Sequence, residues 1–179
     1  MTTEDFLKLA RSFSGLCAVG PTAAKYAEIM HGETARRIAE MIREYSCGLL
    51  GRHLLWLAFG ADAHEFAAPY VDSTVFARIM TWAGRMNIIR APTYRPRPGD
   101  MVLVGGDGSG PQHLWTMLED GGLGLDGGEL DHAAQATRER KHRLVAGYDY
   151  ASPTDLAPAY VRRVVAVFAV SDLLDMEAA

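Results

Sequence analysis

The hydrophobic pattern of this chain changes period at Ala91, and that change limits the folds open to it. Before it, apolar residues recur at helical spacing. Phe6, Leu7, Leu9, Ala10 and Phe13 make a stripe ending near Gly15, and Phe76, Ile79, Met80 and Ala83 make another within residues 75–83. Between these, Pro21 suits the first turn of a helix carrying Ala24, Tyr26, Ala27, Ile29 and Met30. The stretch 34–45 sets Ile38, Ala39, Met41 and Ile42 against outward Arg36, Arg37, Glu40 and Arg43. Residues 47–59 are apolar nearly all round, which predicts a buried helix stopped by Gly60.

After Ala91 the texture is that of strands. Pro92, Pro96 and Pro98 punctuate a loop, and residues 101–104 predict a buried strand. Residues 113–118 and 123–130 predict a hairpin turning at 119–122, and 143–150 and 162–170 predict two further strands. The basic stretch 138–143 reads as a solvated helical face. Helices first and antiparallel strands second predict an α+β fold, with N-terminal helices packed on an antiparallel β-sheet. A chain of 179 residues without repeat or linker is expected to form a single domain over 1–179.

Charge and cysteine usage narrow the function classes. A net charge of −4 gives no electrostatic reason to bind nucleic acid or an anionic membrane. No apolar run reaches the ~18 residues of a spanning helix. The N-terminus lacks the basic and apolar regions of a secretory signal and reads as a helix start instead, with Thr2 or Thr3 as cap and Glu4 and Asp5 in the first turn. Cys17 and Cys47 are too few for a disulfide scaffold and lack metal-site spacing, so the expectation is a chain made in a reducing cytoplasm with no metal or organic cofactor.

One cysteine is placed for chemistry. Cys47 follows polar Tyr45 and Ser46 and precedes Gly48 and the apolar helix. A thiol at a helix start is favoured as the thiolate by the positive end of the helix. Cys17, between Leu16 and Ala18, reads as core packing. Of the six histidines, His53 points to another face of the Cys47 helix, and His31, His64, His132 and His142 lie in polar stretches. His113 opens a strand after a strand-loop unit, which places its imidazole at a sheet end, facing whatever helix packs there.

If the hairpin turns at 119–122, Leu118 faces Leu123 and Trp115 faces Asp126, so Asp126 lies on the His113 face, diagonally adjacent at roughly 7 Å. A one-residue slip would reverse that face. Glu129 and Asp131 compete with Asp126 for the role of orienting the imidazole. The Cys47 amide is a natural oxyanion donor, and Tyr45 and Gln112 are candidate oxyanion or substrate contacts. The loops 61–72, 89–95 and 105–112 are expected to recognise substrate, whereas Trp82, Tyr94 and Trp115 read as core more than groove.

The run Ser46-Cys47-Gly48-Leu49-Leu50, the run Arg97-Pro98-Gly99-Asp100-Met101-Val102, the strand histidine and the acidic residue on the next strand resemble the NlpC-type and CHAP cysteine peptidase/amidase superfamily. The resemblance spans about residues 40–131. It implies a papain-like core, a catalytic unit of about 34–150 with extra N-terminal helices over 2–32, Cys47 as nucleophile, His113 as base and Asp126 as orienter. It implies hydrolysis of an amide or peptide bond in bacterial peptidoglycan peptides through a thioester. It also implies action at the cell wall after specialised export or lysis, and a cognate inhibitor protein if the chain is an exported effector. The sequence departs from the family at Ser46, where aspartate is usual, at Leu114-Trp115, and at Asp126-Gly127-Gly128. A protein-modifying thiol acyltransferase or deamidase on the same scaffold, and a non-catalytic interaction or phage structural module, are the alternatives.

Overall fold

Helix α1 (Thr3–Ser12) begins where the side chains dictate. Thr2 Oγ1 accepts from the Asp5 backbone N–H, and Asp5 returns the bond to the Thr2 N–H, a reciprocal capping box. Its apolar stripe buries Phe6, Ala10 and Phe13 completely. The computed structural model describes residues 1–14, 48, 50–60, 74–105, 111–119, 123–126, 138–145, 148–151 and 161–177. The helices expected around 24–30 and 34–45 lie outside these residues.

Helix α2 is described at Gly48 and over 50–59 and ends at Gly60, whose φ of 74° is a left-handed cap. Helix α3 (Thr74–Arg85) closes with a Schellman arrangement: Ile88 N–H bonds the Ala83 carbonyl and Asn87 N–H the Gly84 carbonyl. Asn87 supplies the positive φ, 56°, that this stop needs. A C-terminal helix, α4 (Val170–Glu177), was not expected from the sequence. Among the described residues no helix is long and apolar enough to cross a membrane.

Among the described residues seven strands follow the helical half: β1 (Ile89–Arg90), β2 (Met101–Gly105), β3 (Pro111–Met117), β4 (Leu123–Asp126), β5 (Arg138–Val145), β6 (Tyr148–Ala151) and β7 (Val161–Phe168). All pairings are antiparallel, in the order β1-β7-β2-β3-β4-β5-β6, and β6 pairs back onto β7. The sheet therefore closes on itself through six strands, with β1 beside the far end of β7. The fold is α+β, as the change of period at Ala91 predicts.

Several local expectations are corrected. The span 143–150 is not one strand, because Val145 pairs with Tyr148 and the chain reverses between them. The basic stretch 138–143 lies in β5 and is not a helical face. Residues 89–90 are a strand inside the span read as a loop. Strand β7, which follows residue 150, pairs with β1, β2 and β6.

Side chains divide cleanly between the sheet's two faces. Met101, Leu103, Leu114, Ala166 and Phe168 join Phe6, Leu50, Leu54, Trp82 and Leu174 in the larger core, which is the helix-covered face. Val102, Val104, Trp115, Met117, Val164 and Val167 form a second cluster on the inner face, with Tyr94 against it. Trp82 and Trp115 are thus core residues, as expected.

The turn before β2 anchors the C-terminal helix α4 to the sheet. Asp100 N–H bonds the Arg97 carbonyl, with Pro98 and positive-φ Gly99 (95°) at the two central positions, the features of a type II turn. Asp100 is fully buried, accepting from Arg97 N–H (2.8 Å), Ser171 N–H (3.1 Å) and Ser171 Oγ (2.6 Å). It thereby caps the start of α4 from another element. Burial pushes its carboxyl above the usual value, against the pull of these donors. Arg97 and Arg90 both bond Asp172, holding α4 from its outer side.

Candidate functional site

Helix α2 meets strand β3 at Gly51. A Cβ built on Gly51 would lie 2.4 Å from Leu114 Cδ2 and 3.8 Å from Met101 Sδ. Only a residue without a side chain permits this approach. Gly51 is four residues after Cys47 in the sequence, and Leu114 is the neighbour of His113. Helix α2, described from Gly48, and strand β3 are therefore in contact. Cys47 itself lies outside the described residues, as do Tyr45, Cys17, Glu129 and Asp131. Gly48, the next residue after Cys47, is helical and buried.

His113 does not open its strand, because β3 starts two residues earlier at Pro111. The imidazole is 7 % exposed. Its residue pairs with Val104, so it shares the inner face with Val104 and Trp115, while Leu114 faces α2. The expectation that His113 faces the packed helix is thus corrected by strand alternation: successive side chains point to opposite sides.

The strand is irregular at this point, however. One step from Val104 to Gly105 on β2 matches two steps from His113 to Pro111 on β3, which makes Gln112 the extra residue of a β-bulge. A second bulge lies across β2, where Leu103 pairs with Ala166 and Val104 with Val164, leaving Val165 extra and exposed. Both bulges flank Val104, directly opposite His113. Such bulges sharpen the local twist and re-aim side chains at a sheet rim. Gln112, read from sequence as a substrate contact, is here the residue that breaks the ladder.

The β3–β4 register is that expected from the turn at 119–122: Trp115 pairs with Asp126, Thr116 with Leu125 and Met117 with Gly124. Position 126 therefore falls on the inner face, diagonal to His113. The next ladder sets Arg138 opposite Asp126 and Arg140 opposite Gly124. Sequence reasoning missed Arg138, since a run of six polar residues carries no apolar alternation to mark a strand. It also missed the close approach at Gly51, for which the signal is a glycine inside an otherwise apolar helix.

Two further polar residues of α2 are buried, Arg52 at 3 % and His53 at 2 % exposure. The His53 ring packs edge-on against Phe13 (5.6 Å between centroids) and beside Trp56 (5.3 Å). It belongs to the contact between α1 and α2, on the side away from β3. Among the described residues no group of three His, Cys, Asp or Glu is arranged to hold a metal ion. No protein-family model, curated protein or solved structure matches the chain.

Proposed function

We propose that the chain is a cysteine hydrolase that cleaves an amide or peptide bond, with bacterial peptidoglycan peptides as the substrate class. The observation that supports it is the contact of α2 with β3 at Gly51 and Leu114, which brings the helix following Cys47 onto the strand that bears His113. The bulge at Gln112 ends the regular ladder next to His113, between that contact and the strand's start. The papain-like core belongs to this reading.

In the reaction, the Cys47 thiolate attacks the carbonyl carbon and the oxyanion is held by the Cys47 amide, with Tyr45 and Gln112 beside it. The His113 imidazolium donates its proton to the departing amine, leaving a thioester. His113 then takes a proton from water, the hydroxide displaces sulfur, and the acid product leaves with the thiolate restored. Asp126 holds the ring's other nitrogen. The chain would act at the cell wall after export or lysis, and as an effector it would be met by an inhibitor protein.

A second reading is favoured by one observation: His113 shares a face with Trp115 and not with Leu114, as it would in a binding module without catalysis. Thiol reactivity separates the two. A catalytic Cys47 alkylates with iodoacetamide well below the ordinary thiol pKa of about 8.5, and Cys17 lags behind it. Equal, slow alkylation of both cysteines would sink the hydrolase reading. Incubation with purified peptidoglycan should release new amines, and Cys47→Ala should abolish that release.

A further inference from the structure

The row of residues that crosses the inner face through Trp115 runs Val167, Val102, Trp115, Asp126, Arg138. The first three are buried in the inner cluster, which fixes the face of the other two. The assignment is consistent around the sheet. Arg138, Arg140, His142 and Leu144 alternate on this face, Leu144 pairs with Asp149, and Asp149 pairs with Arg162. Arg162 is two residues from Val164, which is again in the inner cluster.

The position of His113 thus shares its face with that of Asp126, one diagonal away, and with that of Arg138, directly across the ladder from Asp126. An opposite-charge pair at directly facing positions of an antiparallel ladder is within side-chain reach, and the diagonal is the longer of the two distances. We infer that Arg138 is a positioning residue: as the cross-strand partner of Asp126 it keeps that carboxylate ionised beside His113 and sets the proton affinity of the imidazole. This rests on the reading of His113 and Asp126 as a working pair, and it adds a member that the resemblance does not supply.

Among the described residues, the charged positions that share the face with His113 are Asp126, Arg138, Arg140, His142, the facing pair Asp149 and Arg162, and Arg90 opposite Val167, while β2 offers only Val102 and Val104. Removing the Arg138 charge takes away a cation near the imidazole and leaves the Asp126 carboxylate to act on it alone. Both changes favour the imidazolium. Removing the Asp126 charge does the reverse. The two substitutions therefore move the His113 titration in opposite directions, which a purely structural role would not do.

The test is the His113 imidazole titration followed by NMR in the whole 179-residue chain, in a Cys47→Ala background so that no sulfur titrates alongside. The resonance is assigned by its loss in His113→Gln. Arg138→Gln should raise the midpoint by roughly 0.3 to 1 pH unit, Asp126→Asn should lower it, and Arg138→Lys should leave it near the parent value. A midpoint unmoved by Arg138→Gln overturns the inference, whether or not Asp126→Asn moves it. The imidazole titrates regardless of thiol chemistry, so this outcome is separate from the alkylation result that decides the hydrolase reading.

Discussion

Replacing Gly51 by alanine should change sign depending on what stands at position 114. A Cβ at Gly51 falls about 1 Å inside ordinary contact with Leu114 Cδ2, and Leu114, 2 % exposed, is enclosed by the larger core. Alanine in a helix interior is favoured over glycine by roughly 1 kcal/mol. Overpacking a filled core costs about 1–3 kcal/mol. Gly51→Ala should therefore destabilise the wild-type background by about 0–2 kcal/mol in urea denaturation. Leu114→Ala alone should cost about 2–5 kcal/mol through the cavity it leaves. In that background the clash is gone and the new methyl group enters the cavity, so Gly51→Ala should stabilise by about 1 kcal/mol or more. The coupling energy of the cycle is then about 1–3 kcal/mol. Additive effects, with Gly51→Ala stabilising in both backgrounds, would show that α2 and β3 do not touch here and would remove the main support for the proposed site.

Other expectations follow from the joints of the fold. Asp100→Ala removes the acceptor of the Arg97 N–H and of the buried Ser171 N–H and should lower stability by about 2–3 kcal/mol in the same assay, with m unchanged. Because burial raises the Asp100 carboxyl in the folded state, its contribution is complete below the unfolded value of about 3.9 and is lost as pH rises through the higher folded value. Urea midpoints measured across that window should therefore fall less steeply with pH in Asp100→Asn, and an unchanged slope would contradict this. Asn87→Ala puts a Cβ into left-handed backbone without the local hydrogen bonding of asparagine, costing about 1 kcal/mol, whereas Asn87→Gly should be neutral or stabilising.

What the sequence disclosed and what it concealed have physical causes. The stripe Phe6, Ala10, Phe13 could be read because burial on one side imposes a period, and the run 101–104 because burial on both faces makes it continuously apolar. The Trp115–Asp126 pairing could be read because a short turn leaves few registers. Strand β5 could not, since alternation is invisible when both faces are polar. Helix α4 could not, because its start is capped by Asp100, some seventy residues away. The side of the sheet that His113 takes depends on where β3 begins and on the bulge at Gln112, and no local pattern announces either. The run Arg97 to Asp100 carried part of the family resemblance. In the fold it is a turn and a cap for α4, a role that would be needed with any chemistry.

The last strand has a consequence for how the chain is built. Strand β7 lies between β2 and β6, so residues 161–168 must be in place before the sheet can join. Until then β2 and β6 each present a row of unpaired amides and carbonyls, open to any extended peptide nearby. A ribosome that stalls before Val161, or a nonsense codon there, would release a sticky intermediate, and the slowest step of folding should be the long-range docking of that final segment.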